Sequence, residues 1–120
     1  MPQRYHVGYA IQPSSPRPHW TPTSVVFDGQ RTYVLFPRNL EVMNAPLMRM
    51  IGPSGPEVVN AHQHGPVIWV DALVDRAELR IGSGTQAETV TLTREALRLI
   101  DCPGNPQCPA FPQEVSHVRP

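Results

Sequence analysis

Val67-Ile68-Trp69-Val70-Asp71-Ala72-Leu73-Val74-Asp75-Arg76-Ala77-Glu78-Leu79-Arg80-Ile81 opens residues 67–94, the one long stretch that proline never enters. Its first four residues are apolar at every position, the pattern of a strand buried from two sides. From Ala77 to Ile81, small or apolar residues alternate with charges. That period of two sends Leu79 and Ile81 into a core and leaves Glu78 and Arg80 in solvent. Gly82-Ser83-Gly84 is a turn signal, and Thr89-Val90-Thr91-Leu92-Thr93 resumes the alternation with β-favouring residues. The stretch therefore predicts three consecutive strands in an antiparallel meander at the centre of the fold. It carries no catalytic pattern, so function belongs to surfaces and edges.

The rest of the composition agrees with a β protein. At 120 residues the chain is one domain, large enough to bury roughly two thirds of its unfolded surface. Fifteen prolines are far above the usual ~5%. Pro22, Pro37, Pro46, Pro53, Pro56 and Pro66 fall between candidate strands, where a many-stranded fold needs them. Net charge is zero, which predicts no basic face for nucleic acid. No apolar run approaches the ~18 residues of a membrane-spanning helix. No signal peptide follows Met1, which leaves a cytosolic protein or a domain excised from a longer, targeted one.

In chain order, residues 5–11 alternate as a strand with Tyr5, Val7, Tyr9 and Ile11 on one face and little but Gly8 and Ala10 on the other. Pro13-Ser14-Ser15-Pro16-Arg17-Pro18 reads as a linker. Residues 23–27 form a second strand, and Asp28-Gly29-Gln30 a compact hairpin turn into a third over 32–36. Residues 38–45 are a loop. Strands at 47–51 and 57–61 flank the turn Gly52-Pro53-Ser54-Gly55-Pro56. The tally, about eight short strands with frequent turn signals, predicts an all-β antiparallel sandwich. Residues 95–100 carry Ala96, Leu99 and Ile100 at helical spacing and predict a short C-terminal helix, followed by a proline-rich tail. The division expected is a β domain over 1–94 and a helical turn with a Pro- and Cys-containing tail over 95–120.

Several short strings, in order, resemble a known family. They are Tyr9-Ala10-Ile11, Trp20-Thr21-Pro22, Val26-Phe27-Asp28-Gly29, Thr32-Tyr33-Val34, Phe36-Pro37, Ile51-Gly52, Val59-Asn60, Val70-Asp71 and Ala77-Glu78-Leu79-Arg80-Ile81-Gly82. Together they resemble the C-terminal domain of the TrbG/CagX family, components of conjugation and type IV secretion machines, over about residues 5–94. The resemblance implies a periplasmic β-sandwich at the inner side of the outer membrane. There it would join a ring-shaped core complex with a short lipoprotein, a channel-scaffold protein and copies of itself. The family's signal peptide and N-terminal domain have no counterpart here, which favours an excised domain. One departure stands at Phe27-Asp28, where the family often has two acidic residues before the hairpin glycine.

Some residues carry chemistry of their own beside that resemblance. His62-Gln63-His64 places two imidazoles on one face of a strand end, the start of a metal site in a small cupin-like barrel. The acid that should follow is missing, because Gly65-Pro66 intervenes and Asp71 comes late. Solvent-facing histidines are the preferred reading, and no cofactor is expected. Gly52-Pro53-Ser54-Gly55 lacks the spacing of a nucleophile elbow, and Gly82-Ser83-Gly84 has no following lysine for a phosphate loop. Asp71 and Asp75 read as turn residues, and Trp20 and Trp69 as core or interface anchors. Nothing assembles a nucleophile, base and oxyanion donor, so the expected protein is not an enzyme.

Cys102 and Cys108 enclose Pro103-Gly104-Asn105-Pro106-Gln107, a turn-rich loop that an oxidising compartment would close as a disulfide. Two free thiols in a flexible tail are the equal alternative in a cytosolic protein. Finally, residues 5–11, set off by the proline linker, are expected at a sheet edge, where unpaired backbone groups accept another strand. Tyr5, Val7, Tyr9 and Ile11, with Trp20 beneath, are the residues expected to anchor the short lipoprotein that the resemblance implies. Filling the domain's own core is the competing role for the same aromatics.

Overall fold

A computed structural model describes residues 3–37 and 45–111. It contains β1 (Gln3–Pro13), β2 (Ser24–Phe27), β3 (Thr32–Leu35), β4 (Leu47–Gly52), β5 (Gly55–Val58), β6 (His62–His64), β7 (Val67–Val70), β8 (Arg76–Ile81) and β9 (Glu88–Cys102). All neighbours pair antiparallel in one continuous sheet, in the order β5-β4-β8-β9-β1-β2-β3-β7-β6. The sheet curls so that its two halves face each other, the all-β sandwich that the strand count predicts. Between them lies a core to which Val25, Val34 and Ile68 contribute from one half and Met48, Leu79 and Leu92 from the other.

A second apolar cluster occupies the opposite face of β2, β3 and β7. Val26, Tyr33, Leu35, Val67 and Trp69 meet Tyr5, Val7, Ile100 and Cys102 there. Every residue of β7 is consequently buried, Ile68 and Val70 in the first core and Val67 and Trp69 in the second. The uninterrupted apolar run of β7 thus has its physical reason in two cores served by one strand. In β8, Ala77 and Leu79 are fully buried, as their alternation with charges requires.

The β1–β9 ladder joins the two cores. Its register runs from Gln3↔Cys102 to Val7↔Arg98, then resumes at Tyr9↔Arg94 and ends at Pro13↔Val90. Between Val7 and Tyr9, β9 therefore spends two more residues than β1 and bulges outward. Gly8 sits opposite the bulge with φ +132, and a Cβ placed on it would stand 2.5 Å from the Ala96 carbonyl oxygen. Only glycine fits that conformation and that approach. On the Gln3↔Cys102 side of the bulge the ribbon faces the second core with Tyr5, Val7 and Ile100; on the Pro13↔Val90 side, Tyr9, Ile11, Val90 and Leu92 face the first.

Turn chemistry explains the local joins. Asp28 Oδ1 accepts hydrogen bonds from the backbone N–H of Gln30 at 2.9 Å and of Arg31 at 2.7 Å. With Gly29 at φ +102, that closes the β2–β3 hairpin. Thr32, fully buried, donates through Oγ1 to the Ala72 carbonyl at 2.7 Å and accepts from the Val74 N–H at 3.2 Å. Those bonds hold residues 71–75 as they cross from one half of the sandwich to the other.

Three expectations are corrected. β7 lies beside β3 and β6 rather than β8, so residues 67–94 form no meander; the crossover at 71–75 separates the halves. Residues 95–100 are strand, not helix. The ladder offered by β1 outweighs a helical spacing of apolar residues, since β structure answers to non-local partners; Leu99 is half exposed while Ile100 is buried. β9 runs without a break from Glu88 to Cys102. Lastly, β1 is a central strand, with β9 on one side and β2 on the other, and its ladder includes Pro13 of the expected linker. Smaller shifts are the fifth strand, which lies at Gly55–Val58 instead of 57–61, and the strand total, nine among the described residues. The loop over 38–45 falls almost wholly outside the described residues, as does the tail from 112 onward.

Candidate partner-binding seam

Strand length decides where the sheet is open. β1 has 11 residues and β2 only 4, and the two share a single register pair, His6↔Phe27. The His6 ring helps pin that point, with Nδ1 3.4 Å from the Phe27 carbonyl and ring centroids 5.6 Å apart. Beyond that point no further β1–β2 ladder pair forms. Ser24, Val25 and Val26 ladder only with Leu35, Val34 and Tyr33 of β3, and Thr23 donates its N–H to the Leu35 carbonyl at 2.8 Å. On the other side, Tyr9 to Pro13 ladder only with β9.

Backbone groups alternate in direction along a strand, so each strand with one neighbour also directs N–H and C=O groups the other way. A cleft of about 400 Å³ is lined by residues of β1 and β2 and, across from them, by residues 106–110, within the size range of binding clefts. Val7, Tyr9 and Ile11 line one side and Ser24 and Val26 the other. A second cleft of about 570 Å³, walled by Arg17, His19 and Pro37, shares Ile11 and Thr23 with the first. The two make one continuous seam along the surface.

The residues expected to anchor a partner divide between seam and core. Val7, Tyr9 and Ile11 line the cleft. Val7 is nonetheless 5% exposed and Tyr5 3%, both held in the second core. Tyr9 is half-buried and donates its hydroxyl to the Val74 carbonyl; burial raises its phenol pKa above the ordinary value. Trp20 is 1% exposed in the first core, and its Nε1 donates to Glu88 Oε1 at 3.2 Å. The opening itself could not be read from residues 5–11, because it arises from the mismatch between β1 and a strand elsewhere in the chain.

His62 and His64 lie on β6 at the far edge of the sheet. His62 stacks on Trp69, ring centroids 5.5 Å apart and planes at 23°. Its Nε2 stands 3.3 Å from Asp71 Oδ2, and Asp71 Oδ1 accepts from Arg31 Nε at 2.7 Å. That hydrogen bond raises the Arg31 pKa and ties the β2–β3 turn to the end of β7. His64 is exposed. Among the described residues, no group of three or more His, Cys, Asp or Glu is placed to hold a metal ion. Cys102 and Cys108 are joined as a disulfide, with Cα atoms 5.8 Å apart. Among the described residues, no helix is long and apolar enough to cross a membrane.

Comparison with known proteins adds a lineage to this geometry. Residues 1–95 match the family model of the conjugal transfer proteins termed CagX. A probable conjugal transfer protein TrbG from Sinorhizobium fredii (strain NBRC 101917 / NGR234) is 29% identical over 93 residues. The alignment takes in 78% of this chain and 33% of that relative. The chain thus spans about a third of the relative's length, and the end of β9 with its disulfide lies beyond the family match.

Proposed function

The chain belongs to the CagX family of conjugal transfer proteins, and from that premise we propose that it is a non-enzymatic structural module of a conjugation or type IV secretion core complex. In this reading it works in the periplasm beside the outer membrane, in a ring of copies with a channel-scaffold protein. Its direct ligand is an extended segment of a short lipoprotein. The observation that carries this is the seam, where β1 and β2 share one register pair and together line a 400 Å³ cleft. An extended segment lying in that cleft would meet backbone groups of β1 and β2 that their ladders leave unpaired, with Val7, Tyr9 and Ile11 supplying the side-chain contacts. The docking place in this reading is the cleft between β1, β2 and residues 106–110, and not an outer edge of the sheet. Zero net charge supports a protein partner over nucleic acid.

Ile11 is the residue to perturb, since it lines both clefts and is only partly buried. Co-expressed with the short lipoprotein of its own transfer system, the chain is expected to give a stable complex in size-exclusion chromatography. Ile11→Asp should weaken that complex at least about tenfold; because Ile11 also packs against the first core, affinity is compared at a temperature where circular dichroism shows the variant still folded. Unaltered affinity of the Ile11→Asp protein would remove the seam from the binding site. So would a complex in which the amides of residues 24–26 gain no protection from hydrogen exchange.

A further inference from the structure

We propose that the Cys102–Cys108 bridge fixes the segment after β9 as an outer wall of the β1–β2 seam, so that retention of a docked strand depends on the oxidised state of this pair. The inference rests on the strand-docking reading for its consequence, and on the structure alone for the wall. Cys102 ends β9 and is anchored by its pairing with Gln3 in the central ladder. The bridge brings the chain back at Cys108, after a turn in which Asn105 Oδ1 accepts from the Gln107 N–H at 2.8 Å and the Asn105 carbonyl from the Cys108 N–H at 3.0 Å. Pro106, Gln107, Cys108 and Ala110 then stand across the cleft from β1 and β2. The loop encloses the cleft without filling it, which makes it a wall and not a plug.

The other contacts that hold the segment are non-covalent, and Cys108 and Phe111 both pack against the second core. The Arg98 guanidinium donates to the Gln107 side chain at an exposed position. Phe111 packs edge-on against Tyr33, with ring centroids 5.0 Å apart, and lies 5.9 Å from Tyr5. Opening the bridge therefore leaves residues 103–110 without covalent closure between the ladder and Phe111. The chemistry is ordinary thiol–disulfide exchange. A dithiol reductant attacks one sulfur as a thiolate, forms a mixed disulfide and closes on itself; it leaves as a cyclic disulfide, and two electrons and two protons have converted the bridge into two cysteine thiols.

The wall can be tested without any partner. Amide hydrogen exchange is followed in the oxidised protein, in wild-type protein reduced with a dithiol, and in the double variant Cys102→Ser with Cys108→Ser. In both open forms, amides of residues 9–11 and 24–26 are expected to exchange at least about tenfold faster, with those of β4 and β8 unchanged. Unchanged seam rates would overturn the wall. So would a uniform loss of protection through β8, since the bridge would then be supporting the whole fold. The dependence on oxidation is read separately, from dissociation of the co-expressed lipoprotein. Release at least about tenfold faster from the double variant is expected, because preorganised walls act chiefly on off-rates. Equal release rates would overturn the dependence while leaving the docking of a strand to its own test at Ile11.

Discussion

Replacing Gly8 by alanine should be among the most damaging single-methyl additions to this fold, and its cost can be worked from two separate causes. The first is backbone conformation. At φ +132 an L-residue is strained by about 1–3 kcal/mol. The second is contact: the new Cβ would stand 2.5 Å from the Ala96 oxygen, 3.0 Å from the Ala96 carbonyl carbon and 3.1 Å from the Leu97 Cα. All three are backbone atoms of the β9 bulge, so no side-chain rotation relieves the clash, and β9 must shift at the cost of ladder hydrogen bonds worth about 1 kcal/mol each. The total expected is about 3–5 kcal/mol, a large part of the ~5–15 kcal/mol that holds a domain of this kind. At about 4 °C or more per kcal/mol, the melting temperature should fall by at least roughly 12 °C. Gly55→Ala is the internal control, since Gly55 has φ +110 but a Cβ there would meet nothing within 4 Å; it should show the conformational cost alone. Urea unfolding of the two variants beside wild type, at equal slope, measures the difference. Equal destabilisation of the two, or a loss below about 1 kcal/mol for Gly8→Ala, would refute the close approach of β1 and β9 at the bulge.

Two further outcomes follow from the core and from Tyr9. Leu79→Ala, at a position with no exposure in the first core, should cost about 2–5 kcal/mol in urea unfolding, and a cost under about 1 kcal/mol would contradict its burial. Because the folded-state pKa of Tyr9 is raised, first by burial, its protonated form is favoured by folding. The stability tied to it is complete below the unfolded pKa of about 10 and is lost as pH rises through the folded value. Urea midpoints at pH 9 to 12 should therefore fall less steeply for Tyr9→Phe than for wild type, and identical slopes would exclude Tyr9 as a source of the alkaline loss.

Sequence is legible here as far as local pattern determines structure. Val67 to Val70 and Ala77 to Ile81 declare their burial by themselves, because solvent or core on each face is written into successive residues. Asp28-Gly29-Gln30 likewise contains the groups that close its own turn. Residues 95–100 mislead because their spacing fits a helix and their partner strand lies at the opposite end of the chain. Residues 5–11 mislead for the same reason: the proline-rich segment suggests separation, whereas β9 supplies a ladder that no residue near β1 announces. The seam is hidden more deeply still. It depends on the difference in length between β1 and β2, on their sharing only the pair His6↔Phe27, and on a disulfide loop folding back from residue 102. The fate of His62 is equally non-local, since Asp71 and Arg31 complete its surroundings from other elements.

The central ladder also sets the order in which this domain can form. Gln3 pairs with Cys102 and Pro13 with Val90, so the innermost strands of the sheet are brought together from opposite ends of the chain. Hairpins β2–β3, β4–β5 and β6–β7 can close early, on their own short connections. The ribbon that unites their two halves cannot close until about residue 102 has left the ribosome or the translocation channel, whichever delivers it. Loop closure over such a span is entropically expensive before any contact repays it, and proteins dominated by such pairings fold in about milliseconds to seconds. For that interval the apolar faces of β3 and β7 have no cover from β1 and β9. Nascent or newly exported chains are then most open to aggregation and most dependent on holding factors.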